Sequence, residues 1–392
     1  MQERYDFDKI VDRRGTNALK VDALEERYGD ANLIPLWVAD MDFETPPFIV
    51  DALRQRLQHP VFGYTKDPAG YLPSIINWLR QRHDWEVRPE WLSYIPGIVK
   101  GIGMVVNIFT RPGDKVIIQP PVYHPFRLVP RGNGREVVFN PLKLVGDRYE
   151  MDFDHLERLI DDHCKLLVLS NPHNPAGRVW ERETLATLAE LCERRGVLVV
   201  SDEIHSDMML YGHRHVPFMT ASPAAARVSI TFGAPSKSFN IAGLVSSYAI
   251  VPDDSLRRRF YSWLAANEMN EPTIFAPIAT EAAYTLGAEW LRQMLEYVEG
   301  NINFMKNYLD ARVPAIRVMK PQASFLVWLD CRQLNMEHDT LVNFFIKDAH
   351  LALNDGEMFG PGGEGFMRLN VGCSRLLLSR ALSQIEAAAS RR

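Results

Sequence analysis

Four short apolar runs, each ending in polar or turn residues, constrain this chain more than any other feature: DKVIIQPP at 114–121, KLLVLSNPHNP at 165–175, GVLVVSDE at 196–203 and RVSITFG at 227–233. The runs are continuously apolar and do not alternate, which is the pattern of strands covered on both faces. Between the second and third, residues 181–195 have helical period and put Leu185, Leu188, Leu191 and Cys192 on one face. Strands of this kind separated by helices predict a mostly parallel α/β sheet with helices on both sides.

The flanking segments extend the pattern. GIVKGIGMVVNIF at 97–109 starts with glycine and continues as an apolar helix, so its first turn can offer free backbone N–H groups to an anion. Residues 289–312 read as one long connecting helix. After it, ASFLVWLD at 323–330, a helix near 338–347 and GFMRLNVG at 365–372 make a βαβ-like pattern, expected to form a second, smaller α/β domain. The expected division is an N-terminal arm with part of the small domain over 1–48, a large domain over 49–285 and a small C-terminal domain over 286–392.

Composition narrows the function. The 392 residues are 46% hydrophobic and 24% charged, ordinary for a globular chain. The net charge is -5, with no basic block, so nucleic acid is not an expected partner. No apolar run approaches the ~20 residues of a membrane span, and the start, MQERYDFDKIVDRRG, has charges where a signal peptide needs an apolar core. A cytoplasmic protein without membrane contact is expected. Cys164, Cys192, Cys331 and Cys373 occur singly and read as reduced core thiols. HRH at 213–215 does not make a metal site, because residues one and two apart on an extended segment point different ways, and no metal is expected. GIVKGIG lacks the spacing of a dinucleotide fingerprint.

In a parallel sheet, ligands bind outside the carboxyl ends of the strands, and there the polar residues collect. Asn171 and Asn174 follow the second run, Asp202 and His205 the third, Ser236 and Lys237 the fourth. Singly, each has a plainer reading: asparagine makes turns, aspartate caps helices, and a loop lysine is solvated. Together, an amide, a carboxylate and a lysine at one edge make a site. A lysine condenses with an aldehyde, and pyridoxal 5'-phosphate supplies one on a ring that absorbs carbanion electrons. Asp202 suits the ring nitrogen, whose protonated form a carboxylate stabilises. An asparagine amide suits the phenolate oxygen, and Tyr123, after the first run, is placed to stack on the ring face. The phosphate would take N–H groups from the helix start at Ile98 and Val99 and a hydroxyl from Ser236.

SNPHNPAG, SDEIHSDM and SKSFNIAGL, with 28 residues from Asn174 to Asp202 and 35 from Asp202 to Lys237, resemble the signature of pyridoxal-phosphate enzymes of the aspartate-aminotransferase fold, fold type I. LWVADMDFETPP at 36–47, FGYTKDPAGY at 62–71 and FMRLNVGCSR at 366–375 are similar to the MalY/PatB-type cystathionine β-lyases, or carbon–sulfur lyases, so the resemblance spans nearly the whole chain. It implies a seven-stranded, mostly parallel sheet and a homodimer with shared sites. It makes Lys237, Asp202 and Tyr123 the catalytic set. It puts Asn174 and His205 on the cofactor, Tyr64 on the phosphate of the neighbouring subunit, and Arg368 on the substrate carboxylate, with Ala39, Asn174 and Tyr64 also near the substrate. The implied reaction is β-elimination from L-cystathionine or another S-substituted cysteine, an amino-acid substrate.

Departures matter too. Where aminotransferases often have tyrosine, serine and a phosphate-binding arginine, this chain has His205, Ala234 and Val245. The DMD of 40–42 reads either as two solvated acids or, by the resemblance, as part of the mouth of the site. An aminotransferase shares every step up to the carbanion and stays open as an alternative. A regulator using this fold as a sensor is a remoter one, since no basic helix-turn-helix pattern precedes LWVADMD.

Overall fold

The structure is a computed structural model and describes residues 4–391. The four apolar runs form the strands Lys115–Ile118, Cys164–Ser170, Leu198–Asp202 and Ser229–Gly233. They belong to a seven-stranded sheet whose spatial order is Leu92–Ile95, Ser247–Ile250, Ser229–Gly233, Leu198–Asp202, Cys164–Ser170, Lys115–Ile118, Glu136–Phe139. Every pairing is parallel except those of Ser247–Ile250, which runs antiparallel to both neighbours.

The lack of alternation in these strands has a direct cause. Within Leu198–Asp202, Val199 packs with Leu188 and Cys192 in one core, while Val200 packs with Ile102 and Val105 in another on the opposite face. Both faces must therefore be apolar, each such side chain contributing roughly 1.5–3 kcal/mol. The helix Arg182–Arg195 buries Leu185, Leu188, Leu191 and Cys192 as its period predicts. It stops at Gly196, whose φ of 66° lets its N–H turn back to the last carbonyls. All four cysteines are buried and free.

Beyond the helix Phe275–Leu286 the chain passes Gly287 into the 25-residue helix Ala288–Arg312 and a second sheet. That sheet corrects the βαβ expectation. Its four strands, in the order Arg317–Met319, Leu326–Asp330, Phe366–Asn370, Asn354–Asp355, are all antiparallel, with Leu326 opposite Asn370. A parallel return needs the chain to re-enter the sheet from its starting end. Here the chain, after His338–Asn343 and a π-helical turn over Phe344–Asp348, instead turns back through the glycine-rich stretch 356–365 and enters from the other end. Between these elements Leu351–Ala352 pairs in parallel with Ile34–Pro35 as a separate two-stranded sheet, which stitches the N-terminal arm to the C-terminal part of the chain. Among the described residues no helix is long and apolar enough to cross a membrane.

Candidate active site

The carboxyl ends of the central strands open onto a cavity of about 360 Å³ lined by Ala39, Gly97, Ile98, Val99, Tyr123, Asn174, Asp202, His205, Ser236 and Lys237, among others. Three separate strand-to-loop turns and one helix start converge there, because parallel strands in one layer end on one edge. Arg368, on Phe366–Asn370 of the second sheet, reaches the same place from the opposite side. Tyr64 does not. It is fully exposed and lies in a separate surface depression with Phe62, Thr65 and Asn270.

Lys237 follows the strand Ser229–Gly233 in a turn where the Phe239 N–H donates to Pro235 and the Ile241 N–H to Ser236. Its side chain keeps some exposure through the cavity, and its Nζ donates to the Ala39 carbonyl at 2.5 Å. Burial pushes the amine down to about 8, and the positive charge of Arg368 adds to this, while Asp40 and Asp202 oppose it. A lysine so placed changes between charged and neutral near neutral pH, as a proton-transfer base must.

Asp202 ends its strand 7% exposed, and its Oδ1 accepts from the Ile204 N–H at 3.1 Å. Burial pushes the carboxyl up to about 7, against the pull of that N–H and of Lys237. A buried carboxylate with one neutral donor is an acceptor suited to a cation. His205 is buried with Nδ1 unpartnered, and burial followed by the charges of Lys237 and Arg368 holds it down at about 3, a neutral imidazole. Tyr123 lies edge-on to His124, ring centroids 5.1 Å apart, and burial raises its hydroxyl above the ordinary tyrosine range.

The Asn174 Oδ1 accepts from Arg368 Nη1 at 3.0 Å, which leaves its amide N–H₂ as the donor toward the cavity. Arg368 Nη2 also donates to Asn354 Oδ1 at 2.5 Å and to the Trp37 carbonyl at 3.2 Å, and its guanidinium lies 4.9 Å over Phe359. Burial lowers it to about 10, and its Nε has no partner. All its acceptors are neutral, so a carboxylate is the partner that its charge lacks.

At the helix start, Gly97 has φ 109° and offers no capping side chain, leaving the first N–H groups of Ile98–Phe109 toward the cavity. Ser236 is buried beside them, whereas Ser238 faces away and donates to Asp207 Oδ2 at 3.2 Å. Lys100 also lines the cavity and was not foreseen from the sequence. The signal was there: a lysine in a first helical turn opposes the helix dipole unless an anion sits nearby. Nothing local in the sequence foretells Asn354 or Trp37 as partners of Arg368. Two further readings resolve. His215 of HRH is buried with Nε2 2.7 Å from Glu203 Oε2. The acids of DMD are not solvated: Asp40 and Asp42 pair with Arg13 at 2.6 and 2.9 Å, and Asp42 with Lys20 at 2.9 Å.

Residues 31–385 match the family described as aminotransferase class I and II. Cystathionine beta-lyase PatB of Bacillus subtilis is 45% identical over 98% of this chain and 100% of its own. The chain belongs to that family, in the group of PatB and MalY. Protein MalY of Escherichia coli is 35% identical, covering 97% of each chain. Among solved structures, the PLP-bound C-S lyase from Staphylococcus hominis superposes with a TM-score of 0.91 at 34% identity over 98% of each chain. The site of this family member fits such a cofactor on its own terms: the lone Asp202 carboxylate matches a protonated ring nitrogen, the Asn174 amide a phenolate, and the open helix start with Ser236 a phosphate.

Proposed function

We propose that the protein is a pyridoxal 5'-phosphate-dependent carbon–sulfur β-lyase that cleaves L-cystathionine or related S-substituted cysteines to a thiol, pyruvate and ammonia. The observation that carries this reading is the Lys237 amine, held near neutrality in one cavity with the unpaired Asp202 carboxylate and within reach of Arg368. Lys237, Asp202, Asn174, Tyr123, His205, Ser236 and the N–H groups of Ile98 and Val99 hold the cofactor, which when bound supplies an electron sink for a carbanion at the substrate Cα. Arg368 takes the substrate α-carboxylate in a bidentate grip, and Asn174 and the backbone at Ala39 flank it. The neutral Lys237 Nζ removes the Cα proton. The Cα electrons then close a Cα–Cβ double bond as the Cβ–S bond breaks with its electron pair leaving on sulfur. The Lys237 ammonium returns its proton to that thiolate, and water converts the released aminoacrylate to pyruvate and ammonia.

Tyr64 does not line its own chain's cavity, and the segment leading to it exposes Leu57, Val61 and Phe62. We read this face as a two-fold interface through which Tyr64 completes the neighbour's phosphate site. The cofactor-holding part is the large domain over 49–285, and the carboxylate-clamping Arg368 belongs to the small domain over 286–392. Four free thiols fit a reducing compartment, the cytoplasm.

Assaying pyruvate and free thiol from L-cystathionine, beside amino transfer to 2-oxoglutarate, tests the reading. Amino transfer without thiol release would assign the chain to the transaminase side of its family, whose chemistry uses the same residues up to proton removal.

A further inference from the structure

Residues 36–43 pass in front of the cavity and are pinned from three sides. On the second sheet, Asn370 Nδ2 donates to the carbonyls of Val38 at 2.6 Å and Asp40 at 2.7 Å, and the Asp42 N–H donates to Gly372 at 2.7 Å. On the Lys237 turn, Asn240 sits at φ 56° and clasps the same stretch, donating to Met41 and Phe43 carbonyls at 3.0 and 2.8 Å and accepting from the Met41 N–H at 3.0 Å. On the N-terminal arm, Arg13 bridges Asp40 and Asp42, and Lys20 binds Asp42 Oδ2 at 2.9 Å and the Asp40 carbonyl at 3.2 Å. Lys20 is completely buried, and its own carbonyl accepts from Trp37 Nε1 at 2.8 Å.

Burying an ammonium carries a desolvation cost that its ion pair only partly offsets, so packing alone does not call for a lysine there. What this pair of cations achieves is geometric. With Asp40 and Asp42 both tied outward to Arg13 and Lys20, the carbonyl between them and the cavity, that of Ala39, points inward and receives Lys237 Nζ. We propose that Arg13 and Lys20 are positioning residues of the reaction, which through Asp40 and Asp42 fix the Ala39 carbonyl as a rest for the Lys237 amine. An amine donating one N–H to a fixed carbonyl loses most of its rotational freedom before the substrate proton is reached. The charged arm thus acts on proton removal while touching neither substrate nor cofactor. The inference rests on Lys237 as the base, though not on the nature of the leaving group.

L-Alanine has no leaving group on Cβ, so exchange of its Cα hydrogen in D₂O, followed by proton NMR on holoenzyme, isolates the lysine step. For Lys20→Met and Arg13→Gln, with rates expressed per bound cofactor, kcat for exchange falls on the order of 10- to 100-fold while KM stays within about threefold. α-Deuterated L-alanine, followed in H₂O by gain of its Cα proton signal, shows a primary isotope effect in the variants at least as large as in the wild type. A folded, loaded variant with wild-type exchange, or with its loss confined to KM, overturns the proposal, whatever its thermal midpoint does. Arg13 is partly exposed where Lys20 is completely buried, so its variant decides should Lys20→Met not fold. Wild-type exchange without thiol release from L-cystathionine would sink the lyase reading alone, whereas no wild-type exchange at all would remove Lys237 as base and the proposal with it.

Discussion

Lys237 and Asp202 carry opposed displacements from the same cause. Burial lowers the lysine to about 8 and raises the aspartate to about 7, because in each case it disfavours the charged form. Lys237 must be neutral to accept a proton, so kcat is expected to rise with pH through about 8, and a pH–rate profile at saturating substrate checks this. Lys237→Ala should abolish turnover while circular dichroism stays that of the wild type; residual elimination would move the base elsewhere. Asp202 gives a stability prediction with a definite sign. A carboxyl whose folded pKa is raised loses stability as pH rises from its unfolded value through about 7. Cofactor-free Asp202→Asn should therefore be more stable than the wild-type apoprotein at pH 8, on the order of 2–4 kcal/mol, with the gain vanishing near pH 4. The same variant should bind cofactor and turn over more weakly. Stability gained together with activity lost is the mark of a group kept for function; an Asp202→Asn apoprotein less stable than the wild type at pH 8 would contradict it.

Among the elements, the start of the helix Ile98–Phe109 makes the sharpest demand. Gly97 at φ 109° occupies backbone space that other residues enter at a cost of about 1–3 kcal/mol. Gly97→Ala should relieve that strain by turning the first N–H groups away, weakening cofactor binding about tenfold or more with little change in KM for substrate once loaded; absorbance titration of the apoprotein measures it. This level also divides what the sequence reveals from what it hides. Asn174, Asp202 and Lys237 were legible because each ends a run whose unbroken apolar character announces a covered strand, and covered parallel strands share one edge. Lys20 was not, since its partner Asp42 lies across a loop closed only by the tertiary fold. Nor was Asn354, whose bond to Arg368 exists because the two-residue strand Asn354–Asp355, too short to carry a pattern in the sequence, pairs antiparallel with Phe366–Asn370. Asp207 is similar: it joins His83 at 3.0 Å, Trp78 at 2.9 Å and Ser238, three residues scattered along the chain that only packing brings together.

For the molecule as a whole, the proposed two-fold interface at the exposed Tyr64 predicts shared sites. Lys237→Ala and Tyr64→Ala chains, each impaired alone, should recover activity when unfolded together and refolded. Half of the dimers would then be hybrids, each with one site that has both native residues, so about a quarter of wild-type activity is expected. Chains that work as monomers would show no recovery. The stitch between Ile34–Pro35 and Leu351–Ala352 has a bearing on how the enzyme is made. All seven strands of the large sheet lie within residues 92–250, so that sheet can assemble while the chain is still leaving the ribosome. The arm that carries Arg13, Lys20 and Ala39 emerges long before it, yet has no strand to pair with until residue 351 is out. That pairing must wait for synthesis to pass that point, so a nascent chain can shape its cofactor edge before the arm in front of it is fully fixed.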